Sequence, residues 1–234
     1  MFEQENAKSE ETALKDAVHR YELVFGGATR TLYQHSYLGY GLKSARRSVH
    51  RLVESMDSVH KPHAAADEEN IPNPCLAQGI TEEVEIPQAN GERNLVFTAG
   101  EAIGRFDPCK RVVLSVHFHM LILYRSVCQL KPCSFDVAYQ PSLPDAFPTG
   151  KILLPSYFDR SLCSLDSLTT EILVFRSLPF HSLQKQVCSG PMSWKEHWGS
   201  DPAVMEELEG RSEWCLDLSF MHALLVLGYE FSET

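Results

Sequence analysis

Leu32-Tyr33-Gln34-His35-Ser36-Tyr37-Leu38-Gly39-Tyr40-Gly41-Leu42 is the stretch on which the fold turns, because the hydrophobic period changes across it. Upstream, Tyr21–Phe25 and Ala28–Tyr33 read as strands around Gly26-Gly27, a hairpin signal. Downstream, Lys43–Met56 reads as an amphipathic helix with Ser44 as N-cap. Its apolar stripe is Ala45, Val49, Leu52, Val53 and Met56. Lys43, Arg46, Arg47 and Arg51 form a basic outer face, read as solvated. Gly26-Gly27 is a turn and not a phosphate loop, since no P-loop Lys and no helix follow it.

Further along, residues 57–80 read as loop, with Pro62, Pro72 and Pro74 and the acidic run Asp67-Glu68-Glu69. Thr81–Ile86 and Arg93–Thr98 flank Asn90-Gly91, a second hairpin signal. Arg111–Arg125 is apolar enough for a buried helix or a strand, and periodicity leaves both open. Pro132–Pro148 reads as loop, and Lys151–Phe158 as a strand with Pro155 at an edge or bulge. Thr169–Val187 suggests two helical pieces broken near Pro179, and Trp194–Glu209 an acidic surface. Cys215–Leu227 reads as a buried helix stopped by Gly228. Interleaved strands and helices predict an α/β fold.

The 234 residues carry 21 Lys and Arg against 31 Asp and Glu, a formal charge of −10, which argues against a nucleic-acid partner. The first twenty residues are polar and lack the apolar core of a signal peptide, so they read as a mobile polar segment before a domain at 21–234. No apolar stretch reaches membrane-spanning length; the longest candidate, Val112–Tyr124, is interrupted by His117 and His119. Taken literally, that describes a soluble, cytosolic chain. Seven cysteines leave two readings open. Cys128-x4-Cys133 has zinc half-site spacing but no second close pair, whereas an oxidising compartment would pair the thiols. No serine, cysteine or histidine triad stands out, and His35 beside Ser36 is not read as a nucleophile.

Three segments in order carry a resemblance: Leu32–Leu42, then Pro132-Cys133-Ser134-Phe135 with Gln140-Pro141-Ser142-Leu143, then Trp214-Cys215-Leu216-Asp217-Leu218-Ser219-Phe220. Asn73-Pro74-Cys75-Leu76 and Ser156-Tyr157-Phe158-Asp159-Arg160 add to it. Together they resemble the guanosine-diphosphatases of the apyrase superfamily, especially the fungal Golgi type. The resemblance implies an actin-like, sugar-kinase-like fold of two α/β lobes with nucleotide between them, of which this chain would be mostly one, incomplete lobe. It implies hydrolysis of a nucleoside diphosphate, GDP or UDP, in the Golgi lumen, in support of glycosylation. A divalent cation (Ca2+, Mg2+ or Mn2+) would assist, and the membrane anchor would lie upstream of Met1.

The family's phosphate loops, Asp-x-Gly-Ser-(Ser/Thr)-Gly and Asp-Leu-Gly-Gly-Ala-Ser-Thr-Gln, have no match here, nor does the segment of its catalytic glutamate. The resemblance therefore implies no catalytic residue and no metal ligand in these residues, and a truncated lobe that is inactive alone. It implies bridges Cys75–Cys109, Cys128–Cys133 and Cys188–Cys215, with Cys163 unpaired. Gly39 stands where many cell-surface relatives carry cysteine. The base contacts it implies are Trp214, as a stacking aromatic before Cys215, with Tyr157 and Phe158 opposite and Arg211 or Arg160 at the base or ribose. Asp136-Val137-Ala138 and Arg111–Arg125 depart from the family's pattern.

Overall fold

The computed structural model describes residues 2–3, 20–33, 36–60, 70–88, 91–100, 104–118, 133–134, 138–140, 143 and 178–231. The strand pattern before the opening stretch forms β2 (Arg20–Phe25) and β3 (Ala28–Tyr33), antiparallel, with Phe25 opposite Ala28 across Gly26-Gly27. Both glycines have positive φ, 61° and 78°, as a tight hairpin turn requires. The N-terminal twenty residues are not wholly outside the fold: β1 (Phe2–Glu3) pairs with Tyr33 and Leu32, giving the order β1-β3-β2.

After the turn at Leu38-Gly39, α1 runs Leu42–His60. It is longer than the pattern suggested, and the residues read as its N-cap and outer loop lie within it: Ser44 is inside the first turn. Nothing before Pro62 opposes helix, and proline restricts only the residue ahead of it. Ala45, Val49 and Val53 are buried, so the stripe does face the core, while Met56 is exposed.

A second sheet, β4-β6-β5, comprises β4 (Ile71–Pro72), β5 (Thr81–Gln88) and β6 (Gly91–Thr98). β5 and β6 close with Gln88 opposite Gly91, so the linking residues are 89–90, one earlier than Asn90-Gly91. β4, in a segment read as loop, runs parallel to β6 with Ile71 opposite Phe97. It is two residues at a sheet edge, where Pro72 costs no ladder bond. Period-two alternation buries Ile86, Leu95 and Phe97.

The helical alternative for Arg111–Arg125 holds as far as it is described: α2 (Phe106–Val113) runs into a π-helical turn at Leu114–Phe118. Two short strands, β7 (Cys133–Ser134) and β8 (Ala138–Tyr139), pair within the proline-rich stretch read as loop. Pro179 stands in the first turn of α3 (Leu178–Cys188), where no N–H is missed, and the first helical piece read before it lies outside the described residues. The acidic Trp194–Glu209 stretch is two helices, α4 (Pro191–Trp198) and α5 (Pro202–Glu209), which bury Trp194, Val204 and Leu208. Asp201 caps α5 by accepting from the N–H groups of Ala203 and Val204.

α6 (Trp214–Ala223), continued by a π-helical turn at Leu224–Gly228, is buried on every side through Ala223. It packs against α1, α2 and α3. Gly190 links α3 to α4 where a Cβ would lie 2.0 Å from the Gln78 carbonyl oxygen, with φ at 82°. Among the described residues no helix is long and apolar enough to cross a membrane. The Lys151–Phe158 strand and residues 169–177 lie outside the described residues.

Candidate functional site

The opening stretch has structural work. The Tyr37 hydroxyl donates to the Gln140 side chain, and the Tyr40 hydroxyl donates to the His117 carbonyl at 2.7 Å. Ser36 and Gly39 are exposed, and His35 lies outside the described residues.

The chemistry gathers at the start of α6. Gly210 ends α5, the turn 211–213 follows, and Trp214 opens α6 with Glu213 at its N-cap. Trp214 is 1% exposed, and its indole N–H donates to the Glu207 carbonyl at 2.9 Å. The Arg211 guanidinium lies over the ring, 3.7 Å from its centroid. This is cation–π geometry. One face of the indole is therefore covered by a charged plane, and the Arg211 side chain keeps 25% of its own exposure.

Asp217, one turn into α6, is fully buried and holds Arg211 there by accepting from its Nη2 at 2.8 Å. A second guanidinium arrives from α1. Arg46 donates through Nε to Asp217 Oδ1 at 2.8 Å, through Nη2 to Oδ2 at 2.5 Å, and through Nη1 to Glu213 at 2.9 Å. This forked geometry suits a carboxylate. It also corrects the reading of Arg46 as part of a solvated face. Two carboxylates at the first turn of α6 also favour its positive dipole end.

Two titratable groups complete the surroundings. Glu82, on β5, has a carboxyl pushed up to about 7, first by burial and then by the nearby Glu213 carboxylate; a Ser212 hydrogen bond and Arg46 oppose the shift. Its Oε2 is buried without a hydrogen-bond partner. His50, on α1, is 4% exposed and stacked on Phe97 with ring centroids 5.0 Å apart. Burial, then the Arg46 charge, push it down to about 4, and its Nε2 is likewise buried without a partner.

Disulfides anchor the region. Cys188–Cys215 ties the end of α3 to the first turn of α6, and Cys75–Cys109 ties the turn after β4 to α2. Cys128, the partner implied for Cys133, lies outside the described residues, as do Cys163, Tyr157, Phe158 and Arg160. Of the implied base contacts, the structure thus brings together Trp214 and Arg211.

No group of three His, Cys, Asp or Glu is placed to hold a metal among the described residues. The donor set explains this: Asp217 and Glu213 already face Arg46, and Asp217 also Arg211, so a divalent cation there would meet two fixed positive charges. That donor set does not fit a cation. Sequence reasoning missed Arg46, Glu82, Glu213 and Asp217. The one available signal was Asp217, a charge inside an otherwise apolar helical run, which must be paired.

The sequence profile of the GDA1/CD39 (nucleoside phosphatase) family matches residues 1–234. The chain is 35% identical over 225 residues to a "Probable guanosine-diphosphatase" of Aspergillus fumigatus, covering 93% of this chain and 42% of that protein. It is 33% identical over 226 residues to the "Guanosine-diphosphatase" of Schizosaccharomyces pombe, covering 95% and 38%. With mouse "Ectonucleoside triphosphate diphosphohydrolase 3" identity is 26%, covering 88% and 36%. The chain thus spans about two fifths of the length of these relatives.

Proposed function

Because the chain belongs to the GDA1/CD39 (nucleoside phosphatase) family, we propose that it serves as the base-recognising part of a nucleoside diphosphatase. The reaction is cleavage of GDP or UDP to the monophosphate and phosphate, aided by a divalent cation, in the Golgi lumen in support of glycosylation. The observation that carries this reading is similarity to proteins named guanosine-diphosphatase along almost the whole chain.

In this reading the base meets the Arg211 guanidinium, which rests on Trp214 and is held flat by Asp217. In the same reading Tyr157 and Phe158 would contact the base from its other face. A planar cation backed by an aromatic ring is a stacking platform for any base, because every base offers a π-face. The family's phosphate loops have no counterpart in these residues, so the base-side residues bind and orient, and the 234 residues by themselves turn nothing over.

Purified residues 1–234, offered GDP or UDP with Ca2+, Mg2+ or Mn2+, are expected to bind nucleotide and to release no inorganic phosphate above buffer. Cation-dependent phosphate release would contradict this division of labour. Absence of any nucleotide binding would contradict the base-side assignment.

A further inference from the structure

The ionic junction has a second property that does not depend on the functional reading. Three elements converge on it: Arg46 and His50 from α1, Glu82 from β5, and Glu213 and Asp217 from the start of α6, with Arg211 and Ser212 from the turn before α6. On β6 the position opposite Glu82 is Phe97, whose ring carries His50, and Arg93 of β6 pairs at 3.4 Å with Glu54 of α1, one turn beyond His50. Two guanidiniums face two carboxylates, so the junction is neutral while Glu82 and His50 are both neutral, and charging either one alone unbalances it.

Geometry favours that state at both groups. Glu82 has one carboxyl oxygen buried without a partner, where an ionised form would add a third negative charge beside Glu213. His50 has a buried ring nitrogen without a partner and sits beside Arg46, where an imidazolium would add a third positive charge. An uncompensated buried charge is costly at either place. In the unfolded chain at mildly acidic pH the preferences reverse: the carboxyl is ionised and the imidazole protonated.

We propose that this junction is a proton-exchanging latch between α1, β5 and α6: folding releases a proton from His50 and takes one up at Glu82. Proton count and charge therefore balance between the two groups at mildly acidic pH. The latch loosens above neutral pH, where Glu82 ionises inside the junction, and again in acid, where His50 must be charged.

The signs follow from linkage. Glu82 has its folded value raised from 4.5 to about 7, so its stabilisation is present below 4.5 and lost as pH rises through 7. His50 has its folded value lowered from 6.5 to about 4, so its stabilisation is present above 6.5 and lost as pH falls toward 4. Between about 5 and 6.5 the two slopes oppose each other.

The test is urea unfolding of the oxidised chain from pH 5 to 8, for wild type, Glu82→Gln and His50→Gln, read as differences from wild type so that all other titrating groups cancel. The wild-type folded-to-unfolded ratio is expected to lose about tenfold against Glu82→Gln between pH 6 and 8. Against His50→Gln it is expected to gain about tenfold between pH 5 and 6.5. Difference curves that stay flat, or that slope the same way, would overturn the proposal. Should a variant not fold, carboxyl-carbon and imidazole NMR titration of the wild-type chain decides instead. Glu82 titrating with ordinary glutamates, or His50 near 6.5, would overturn the latch.

Discussion

Among the described residues, two three-stranded sheets obey the same pairing rules and have different fates. In β1-β3-β2 the hairpin tip leaves Val24 at 72% and Phe25 at 73% exposure. In β4-β6-β5 the corresponding apolar side chains vanish: Phe97 is fully buried and Leu95 is 5% exposed. Pairing needs only the alternating pattern and a competent turn, and both sheets have these. Burial needs a second layer, and only the β4-β6-β5 sheet has α1 against it among the described residues. The covered sheet is also the one that carries a carboxyl, Glu82, into the charged junction.

That difference sets what substitutions cost. Phe97→Ala is expected to destabilise by about 3–5 kcal/mol, by lost transfer energy and a cavity. Phe25→Ala should change stability by no more than about 0.5 kcal/mol, as exposed sites do. Chemical denaturation of the two variants checks the contrast directly, and similar losses would mean that the hairpin is covered in solution. A smaller effect than Phe97→Ala is expected for Gly190→Ala, about 1–3 kcal/mol, because the added Cβ would meet the Gln78 carbonyl in a left-handed backbone. A neutral Gly190→Ala would show that the α3–α4 link is not pinned to the covered sheet's flanking turn.

The hairpin β2–β3, the stripe of α1, the β5–β6 pair and α6 were legible because each keeps one hydrophobic period over several residues. Other features escaped for identifiable reasons. Trp194 and Leu208 look like surface among Glu206, Glu207 and Glu209, because α4 and α5 are too short for the period to repeat. Arg46 shares its side of the chain with Arg47 and Arg51, and nothing local distinguishes the one that turns inward; its partners lie more than 160 positions away. Trp214 and Arg211 were legible as a pair through resemblance, but not the stacking of one on the other, nor the role of Asp217 in fixing it.

The proposed base platform, Arg211 on Trp214, is tested by calorimetric titration of GDP into residues 1–234 as wild type, Arg211→Ala and Arg105→Ala. Arg105 is exposed and remote in sequence, and serves as the charge control. Base stacking is worth about 1–3 kcal/mol, so Arg211→Ala is predicted to raise Kd by roughly tenfold or more while Arg105→Ala leaves it unchanged. Equal affinities for Arg211→Ala and wild type would contradict the platform.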